Sequence, residues 1–484
     1  MPLAESRDWL KPTLVAVGLI TLLRVVALWG SPTDLYVDES QYWLWGQNFD
    51  FGYYSKPPMI GWVLRLFDEL AIHRSAFTVR LPAPLFHGIT ALILGAWAQS
   101  LAPAHRMAGL WVAMAYLSLP IVAVGSFLIS TDTIMAPFLA GALLFYWRLC
   151  AGGTARDAIL GGLLLGCAFL SKYAAIYFLP GALIAYLIIP SMRPRAGLLA
   201  LYALAFLAAA SPNILWNFAN DLTTVSHTMD NAAWLKAESA GPKPSLPRAF
   251  EFIASQFLVF GPVFMVLWIA ALRAPAPGRQ RALIWFSIPV WTIVLIQAFM
   301  SRAYANWAFA AIPAATIAAL LFALDRGRIR TLWAGIALNA VVCVAIPLMT
   351  LFPTLITDAK GQPLAKRYVN VADITHDAIA TARAEGLTVI VGKHRGILAD
   401  FFFTGADSDM TFYATPPKGA PNHYYQQKKA LPADLTGPVL FVTDDAALTC
   451  NGETLTPVVD LSQEIGSWAG KPFPAYVIDA ECLR

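Results

Sequence analysis

Apolar residues run in long, nearly charge-free stretches over roughly the first 350 positions of this chain, and in short ones after about 355. A helix needs about 20 apolar residues to cross the hydrocarbon core, because each backbone group left unpaired there costs several kcal/mol. The long stretches predict membrane helices near 11–30, 79–101, 107–128, 132–150, 157–170, 173–190, 197–216, 251–272, 281–300, 306–324 and 330–352. The run at 157–170 is short, and Lys172 separates it from the next. No small-residue cleavage site follows the first run, so it is expected to stay as a helix rather than be removed as a signal. Beyond 355 the apolar runs fall to strand length: 387–391, 397–403, 410–413, 439–442 and 475–478, divided by Gly, Pro, Asp and Asn. A helix is expected over 371–385. The pattern therefore predicts an α-helical polytopic membrane protein of about eleven spans over residues 1–354. An exported first loop at about 31–78 and a small C-terminal α/β domain over 355–484 complete it.

Charge gives the expected sidedness. Arginines recur in alternate short loops: His105-Arg106, then Arg148 and Arg156, then Arg193 and Arg195, then Arg273, Arg279 and Arg281, and last Arg326, Arg328 and Arg330. Positive loops stay in the cytoplasm, which would also hold the N-terminal Arg7 and Lys11. An odd number of spans then carries the C-terminal domain across, to the periplasm if the membrane is a bacterial inner membrane. The loops on that same far side are the longer ones: about 30–78, the short turn at 129–132, about 217–250, and the turn at 301–305.

Composition agrees and excludes some classes. The chain is 58% hydrophobic and 13% charged, against about 25% charged in soluble domains. A net charge of +4, small and dispersed, offers no electrostatic case for a nucleic-acid partner. Cys150, Cys167 and Cys343 lie in or beside apolar runs, where a buried thiol is the ordinary reading. Cys450 and Cys482 share the exported domain, where a disulfide and two separate thiols are equally open. No Cys/His spacing resembles a structural zinc site, and no Gly-rich phosphate loop points to a nucleotide cofactor.

Candidate chemistry concentrates in the first exported loop. Asp38-Glu39 stands at the exit of the first helix, and Lys56, followed by Pro57-Pro58, comes 17 residues later. The prolines stiffen the backbone beside that lysine. Tyr42, Trp43, Trp45, Phe51, Tyr53, Tyr54 and Trp62 are interleaved. An aromatic belt at the membrane interface would account for the rings, but not for the acidic pair together with a proline-locked lysine. A carboxylate suits a general base toward a hydroxyl, and a lysine suits a phosphate.

These elements resemble the GT-C class of membrane glycosyltransferases. The likeness is to the bacterial branch related to protein O-mannosyltransferases, lipid A aminoarabinose transferases and rhizobial galacturonic acid transferases. Asp38-Glu39 and Lys56-Pro57-Pro58 match in order and approximate spacing, as do Ser130-Thr131-Asp132-Thr133, Ser171-Lys172-Tyr173, and Ser211-Pro212-Asn213 with Trp216-Asn217. The resemblance covers about residues 10–350. It implies single-displacement transfer of a sugar from a polyprenyl phosphate to an envelope glycolipid or glycan of the lipid A or lipopolysaccharide type, on the periplasmic face. It also implies that Asp38, Glu39 and Asp132 are catalytic, and that Lys56, Lys172 and Arg80 bind the donor phosphate. Tyr42, Tyr53, Tyr54, Tyr173 and His227 would contact substrate. In the aminoarabinose transferases a glutamate before the lysine helps bind zinc; here that position is Ser55, a poor ligand, so a divalent metal is left uncommitted.

Each candidate also has an ordinary reading. Asp132 suits a helix N-terminus, Lys172 and Tyr173 suit snorkelling, Arg80 suits a helix anchor, and His227 suits a solvated loop. Arg302, Tyr304 and Trp307 suit an interface belt as well as a sugar contact. Two other functions stay open: transfer to protein Ser/Thr, and lipid or sugar transport without catalysis. Transporters usually carry ionisable groups at the bilayer midplane, whereas these charges sit at helix exits. The sugar itself is not legible.

Overall fold

The computed structural model describes residues 7–231, 244–273, 278–445, 447–450 and 452–484. The chain divides into two compact units. The first holds the stretch ending at Trp29 with Asp50–Val63 and Arg80–Pro347; the second holds Gly30–Phe49, Leu64–Val79 and Leu348–Arg484.

In the first unit every long apolar run becomes helix, but proline and glycine shorten several. Among the described residues seven helices are long and apolar enough to cross a membrane: Leu10–Trp29, Ala76–Leu101, Thr131–Cys150, Ala196–Ala219, Ala282–Met300, Ala305–Leu324 and Ile329–Leu351. Leu246–Phe260 and Pro262–Arg273 make an eighth if taken together, although they bend by 108°. The break lies at Gly261, whose φ of +84° a side chain would resist, and at Pro262, which has no N–H to continue the helix. The run at 107–128 divides at Leu119, held extended (ψ 132°) before Pro120, into Ala108–Ser118 and Pro120–Gly125. The runs at 157–170 and 173–190 give Ala155–Ser171 and Tyr173–Ile188.

What these helices show outward fits lipid. Leu19, Leu22, Leu23 and Val26 are exposed on Leu10–Trp29, as are Leu338, Val341 and Val344 on Ile329–Leu351. Patches of that size are unfavourable in water and neutral in hydrocarbon. Inside, one apolar core runs through Trp97, Tyr116, Phe260, Phe264 and Phe309. The intramembrane Arg24 is satisfied there, donating to Ser126 Oγ at 3.0 Å and to the Leu117 carbonyl at 2.6 Å. Gly162 and Gly166 let the Ala155–Ser171 helix approach Ala196–Ala219 closely. An added Cβ would lie 2.2 Å from the Tyr202 carbonyl oxygen at the first and 2.3 Å from Ala209 Cβ at the second. Small residues four apart permit such contact between membrane helices.

The second unit contains a five-stranded mixed sheet. Its chain order is β1 (Val389–Gly392), β2 (Thr411–Ala414), β3 (Pro438–Val442), then a small hairpin of β4 (Thr449–Cys450) and β5 (Glu453–Thr454), then β6 (Val459–Asp460) and β7 (Pro474–Asp479). The sheet order is β2-β1-β3-β7-β6, with β1 parallel to β2 and β3, and β7 antiparallel to β3 and β6. Val391, Val439, Phe441, Tyr476 and Ile478 fill one face. The expected 371–385 helix is present as Asp373–Ala384. The run at 397–403 is not a strand: it lies in the helix Arg395–Thr404. A short apolar run is ambiguous by periodicity, and here Ile397, Leu398 and Phe401 share one buried helical face while His394 caps the start. Cys450 and Cys482 form a disulfide, with Cα atoms 5.7 Å apart.

Candidate functional site

The candidate residues fall in both units, and each set is built within its own.

In the first unit, helix pairing explains why Asp132 meets Lys172. Thr131–Cys150 and Ala155–Ser171 are joined by a turn of four residues and run back along each other, so the start of one lies beside the end of the other. Ser130 caps the first helix, accepting from Thr133 N–H at 3.3 Å, and Asp132 sits in the first turn, where the helix dipole favours a carboxylate. Lys172 Nζ donates to both Asp132 oxygens at 2.7 Å, and Asn306 Nδ2 donates at 2.9 Å. The two side chains are only 8% and 18% exposed. Next along the chain, Tyr173 O–H donates to Asn213 Oδ1 at 2.9 Å and accepts from Asn217 Nδ2 at 3.1 Å.

Asn213 and Thr224 hold the lysine-bearing segment. Asn213 Nδ2 donates to the Phe51 carbonyl at 2.7 Å, and Thr224 Oγ1 donates to the Tyr53 carbonyl at 2.6 Å. Gly52 leaves room for the Trp216 indole, 2.3 Å from where a Cβ would stand. Tyr53 N–H donates to the Lys56 carbonyl at 3.1 Å, closing the turn on which Tyr54, Ser55 and Lys56 stand, half-buried. Trp62 Nε1 donates to the Asp50 carbonyl at 2.9 Å. Arg80 is 2% exposed, at the end of Ala76–Arg80. His227 lies on the helix Thr223–Asn231, and its side chain is outside the described residues. The structure thus brings Asp132, Lys172, Tyr173, Asn213 and Asn217 into one network and ties the Phe51–Lys56 turn to it.

The second unit holds the acidic pair. Asp38 and Glu39 open the helix Val37–Gln47. Glu39 is buried at 2% exposure and accepts from Tyr36 N–H at 3.0 Å, a helix-capping contact. Asp38 Oδ1 accepts from Arg395 Nη2 at 2.5 Å, and Arg395 Nε donates to Gln41 Oε1 at 3.0 Å. Tyr42 is buried and packs on Trp45. Trp43 Nε1 and Gln47 Nε2 each donate to the Asp68 carboxylate at 3.0 Å, and Trp43 meets Phe403 edge-on. In the sequence His394-Arg395 carries no supporting spacing and is left out of the candidates. Its only signal is position: Lys393-His394-Arg395 follows the carboxyl end of β1 and starts a helix. Ser55 carries no carboxylate or imidazole, and among the described residues no three His, Cys, Asp or Glu side chains gather to hold a metal ion.

Comparison with known proteins converges on one class. Residues 55–216 match the dolichyl-phosphate-mannose-protein mannosyltransferase family model. The chain is 39% identical over 478 residues to the lipid A galacturonosyltransferase RgtD of Rhizobium johnstonii, covering 97% of this chain and 98% of that one. In fold it is similar to two crystal structures of ArnT from Cupriavidus metallidurans. The apo form gives a TM-score of 0.61 at 15% identity, covering 96% of this chain and 97% of that one. The form bound to undecaprenyl phosphate gives 0.62 at 14%, covering 97% and 98%. The chain belongs to the GT-C membrane glycosyltransferases, in the family of the lipid A galacturonosyltransferases. It is an integral membrane protein and a glycosyltransferase.

Proposed function

We propose that this enzyme transfers galacturonic acid from a polyprenyl phosphate to lipid A at the periplasmic face of the inner membrane. The observation that carries the reading is its likeness, over nearly its full length, to a lipid A galacturonosyltransferase. The relative in fold that is bound to undecaprenyl phosphate supports a lipid-phosphate donor. Seven long helices, or eight with the bent pair, are long and apolar enough to cross the membrane among the described residues; the reading of the C-terminal domain as periplasmic rests on the expected odd number of spans. The arginine-rich loops support the same sidedness.

The chemistry is a single displacement. An acceptor hydroxyl oxygen forms a bond to the anomeric carbon, and the bond from that carbon to the phosphate oxygen breaks. Its electron pair leaves with the polyprenyl phosphate, and the hydroxyl proton passes to the Asp38 carboxylate. Lys56 stabilises the charge that develops on the phosphate. Asp132 holds the Lys172 ammonium, and Asn306 holds Asp132; Arg80 supplies further positive charge. Glu39 sets the helix that carries Asp38. Tyr42, Tyr53, Tyr54, Tyr173 and His227 line or steady the sugar and acceptor positions. The donor set at Ser55 does not fit a zinc ligand, and no step is routed through a metal.

The test uses the purified full chain with undecaprenyl-phosphate-linked galacturonic acid and lipid A, read by mass spectrometry. Lipid A should gain one hexuronic acid, and Asp38→Asn and Lys56→Ala should each lower the rate by about 10²-fold or more. Transfer to Ser/Thr peptides with none to lipid A would overturn the acceptor, and full activity of either variant would overturn the roles.

A further inference from the structure

Arg395 has no place in the reaction as drawn above, yet its contacts are specific. One edge of its guanidinium, Nε and Nη2, is engaged by two residues three positions apart on one helix, which therefore share a face. Gln41, at 2% exposure, is a fixed anchor. Asp38 is the exposed member, its side chain 44% accessible and that of Arg395 40%. The Arg395 contact occupies Oδ1 of Asp38; among the described residues Oδ2 has no protein donor. One carboxylate oxygen is held, and the side chain remains nearly half accessible.

We propose that Arg395 is a positioning residue for catalysis: it holds the Asp38 carboxylate turned so that Oδ2 meets the acceptor hydroxyl. The inference rests on the reading of Asp38 as the group that takes the acceptor's proton. The groups around the pair leave this work to Arg395. Glu39, on the same helix, is turned back to the Tyr36 N–H, and Tyr42 and Tyr425 flank the guanidinium. His423 is pushed down to about 4 by burial and by the Arg395 charge. His394 is lowered by burial and by Lys471, with Asp444 opposing, and its Nδ1 accepts from Gly396 N–H. Both imidazoles are neutral near pH 7, so neither replaces the guanidinium as a cation for Asp38.

A merely structural tie between the helices Val37–Gln47 and Arg395–Thr404 would affect stability but would not lower kcat at a constant donor KM in the folded protein. The experiment therefore measures kcat and donor KM separately for the full chain, with undecaprenyl-phosphate-linked galacturonic acid and lipid A, beside thermal unfolding in detergent. Arg395→Gln should lower kcat by about tenfold or more while the donor KM holds. Arg395→Lys should lose only part of kcat. Gln41→Ala, which leaves the guanidinium but frees its anchor, should also lower kcat with the donor KM unmoved, and it carries the test if Arg395→Gln does not fold. An unchanged kcat in a folded Arg395→Gln, or full activity in both Arg395→Gln and Gln41→Ala, overturns the proposal. If Asp38→Asn stays fully active, the underlying site reading fails instead. If Asp38→Asn is dead while Arg395→Gln keeps the wild-type kcat, this inference alone fails.

Discussion

Asp132 with Lys172 in the helical unit, and Asp38 with Arg395 in the second unit, are both carboxylate–cation pairs, but they differ in solvation and in how fully they are engaged. The Asp132 and Lys172 side chains are 8% and 18% exposed, against 44% and 40% for Asp38 and Arg395. Both oxygens of Asp132 receive Lys172, and Asn306 adds a further donor; Asp38 is held by one oxygen only. A pair enclosed by helices and saturated with donors has little freedom to exchange partners, and breaking it strands a charge. A half-exposed pair costs little to rearrange. The difference suggests a division of labour: the enclosed pair sets a fixed positive charge, and the open one does proton chemistry.

The largest expected effect comes from breaking the enclosed pair. Asp132→Ala leaves the Lys172 ammonium unpaired among apolar helices and should destabilise the protein by about 3–5 kcal/mol, with transfer activity lost. Replacing both partners, Asp132→Leu with Lys172→Met, removes the stranded charge and should recover most of that stability without recovering activity. Thermal unfolding in detergent beside the transfer assay separates the two. If the double variant were as unstable as the single one, packing rather than charge would be the cause. If it kept activity, the fixed-charge role would be wrong.

A third carboxylate sharpens the contrast from the other side. Asp400 is as enclosed as Asp132, but its partners are the hydroxyls of Thr375 and Thr404 rather than a cation. Burial raises it to about 7. The unfolded chain ionises this group near pH 4 while the folded one holds its proton until about 7. The contribution is therefore most favourable below pH 4, weakens as pH rises from 4 to 7, and is fully unfavourable above. The size is at most about 4 kcal/mol, from about three units at 1.36 kcal/mol each. Asp400→Asn should abolish this slope and slow amide exchange in β1 and β3 at pH 8 while changing little at pH 4. The same exchange rates in variant and wild type at pH 8 would show that Asp400 ionises freely in the folded protein.

How much of this was legible depends on how local each feature is. Hydropathy is local, so every long apolar run became helix, and the departures sit where Leu119-Pro120 and Gly261-Pro262 impose their own backbone geometry. Glu39 lies three residues past Tyr36, a spacing that announces a capping carboxylate beside the catalytic reading. The 397–403 run was ambiguous because seven apolar-rich residues suit a buried strand or a helix equally well, and only the cap at His394 decides. Asp132 and Lys172 each stood out alone, since a charge is conspicuous at the end of an apolar run, but their pairing depends on a helix hairpin. Arg395 was beyond reach: it lies 357 residues from Asp38, and no periodicity or spacing joins them.

The smallest effect probes how the enclosed network reaches the loop that carries Lys56. Asn213 is 1% exposed, accepts from Tyr173 O–H, and donates to the Phe51 carbonyl five residues before Lys56. Asn213→Ala removes both bonds and leaves the tyrosine hydroxyl with Asn217 as its partner. Each lost bond costs about 1 kcal/mol, so a total near 2 kcal/mol should appear in the unfolding temperature. The kinetic consequence is more telling. If the Phe51–Lys56 turn is held in register by this carbonyl contact, the donor KM should rise several-fold while kcat holds. A lowered kcat with an unchanged donor KM would mean that Asn213 acts on the open pair rather than on the lysine turn. The division between a fixed charge and a proton-handling carboxylate would then have to be redrawn.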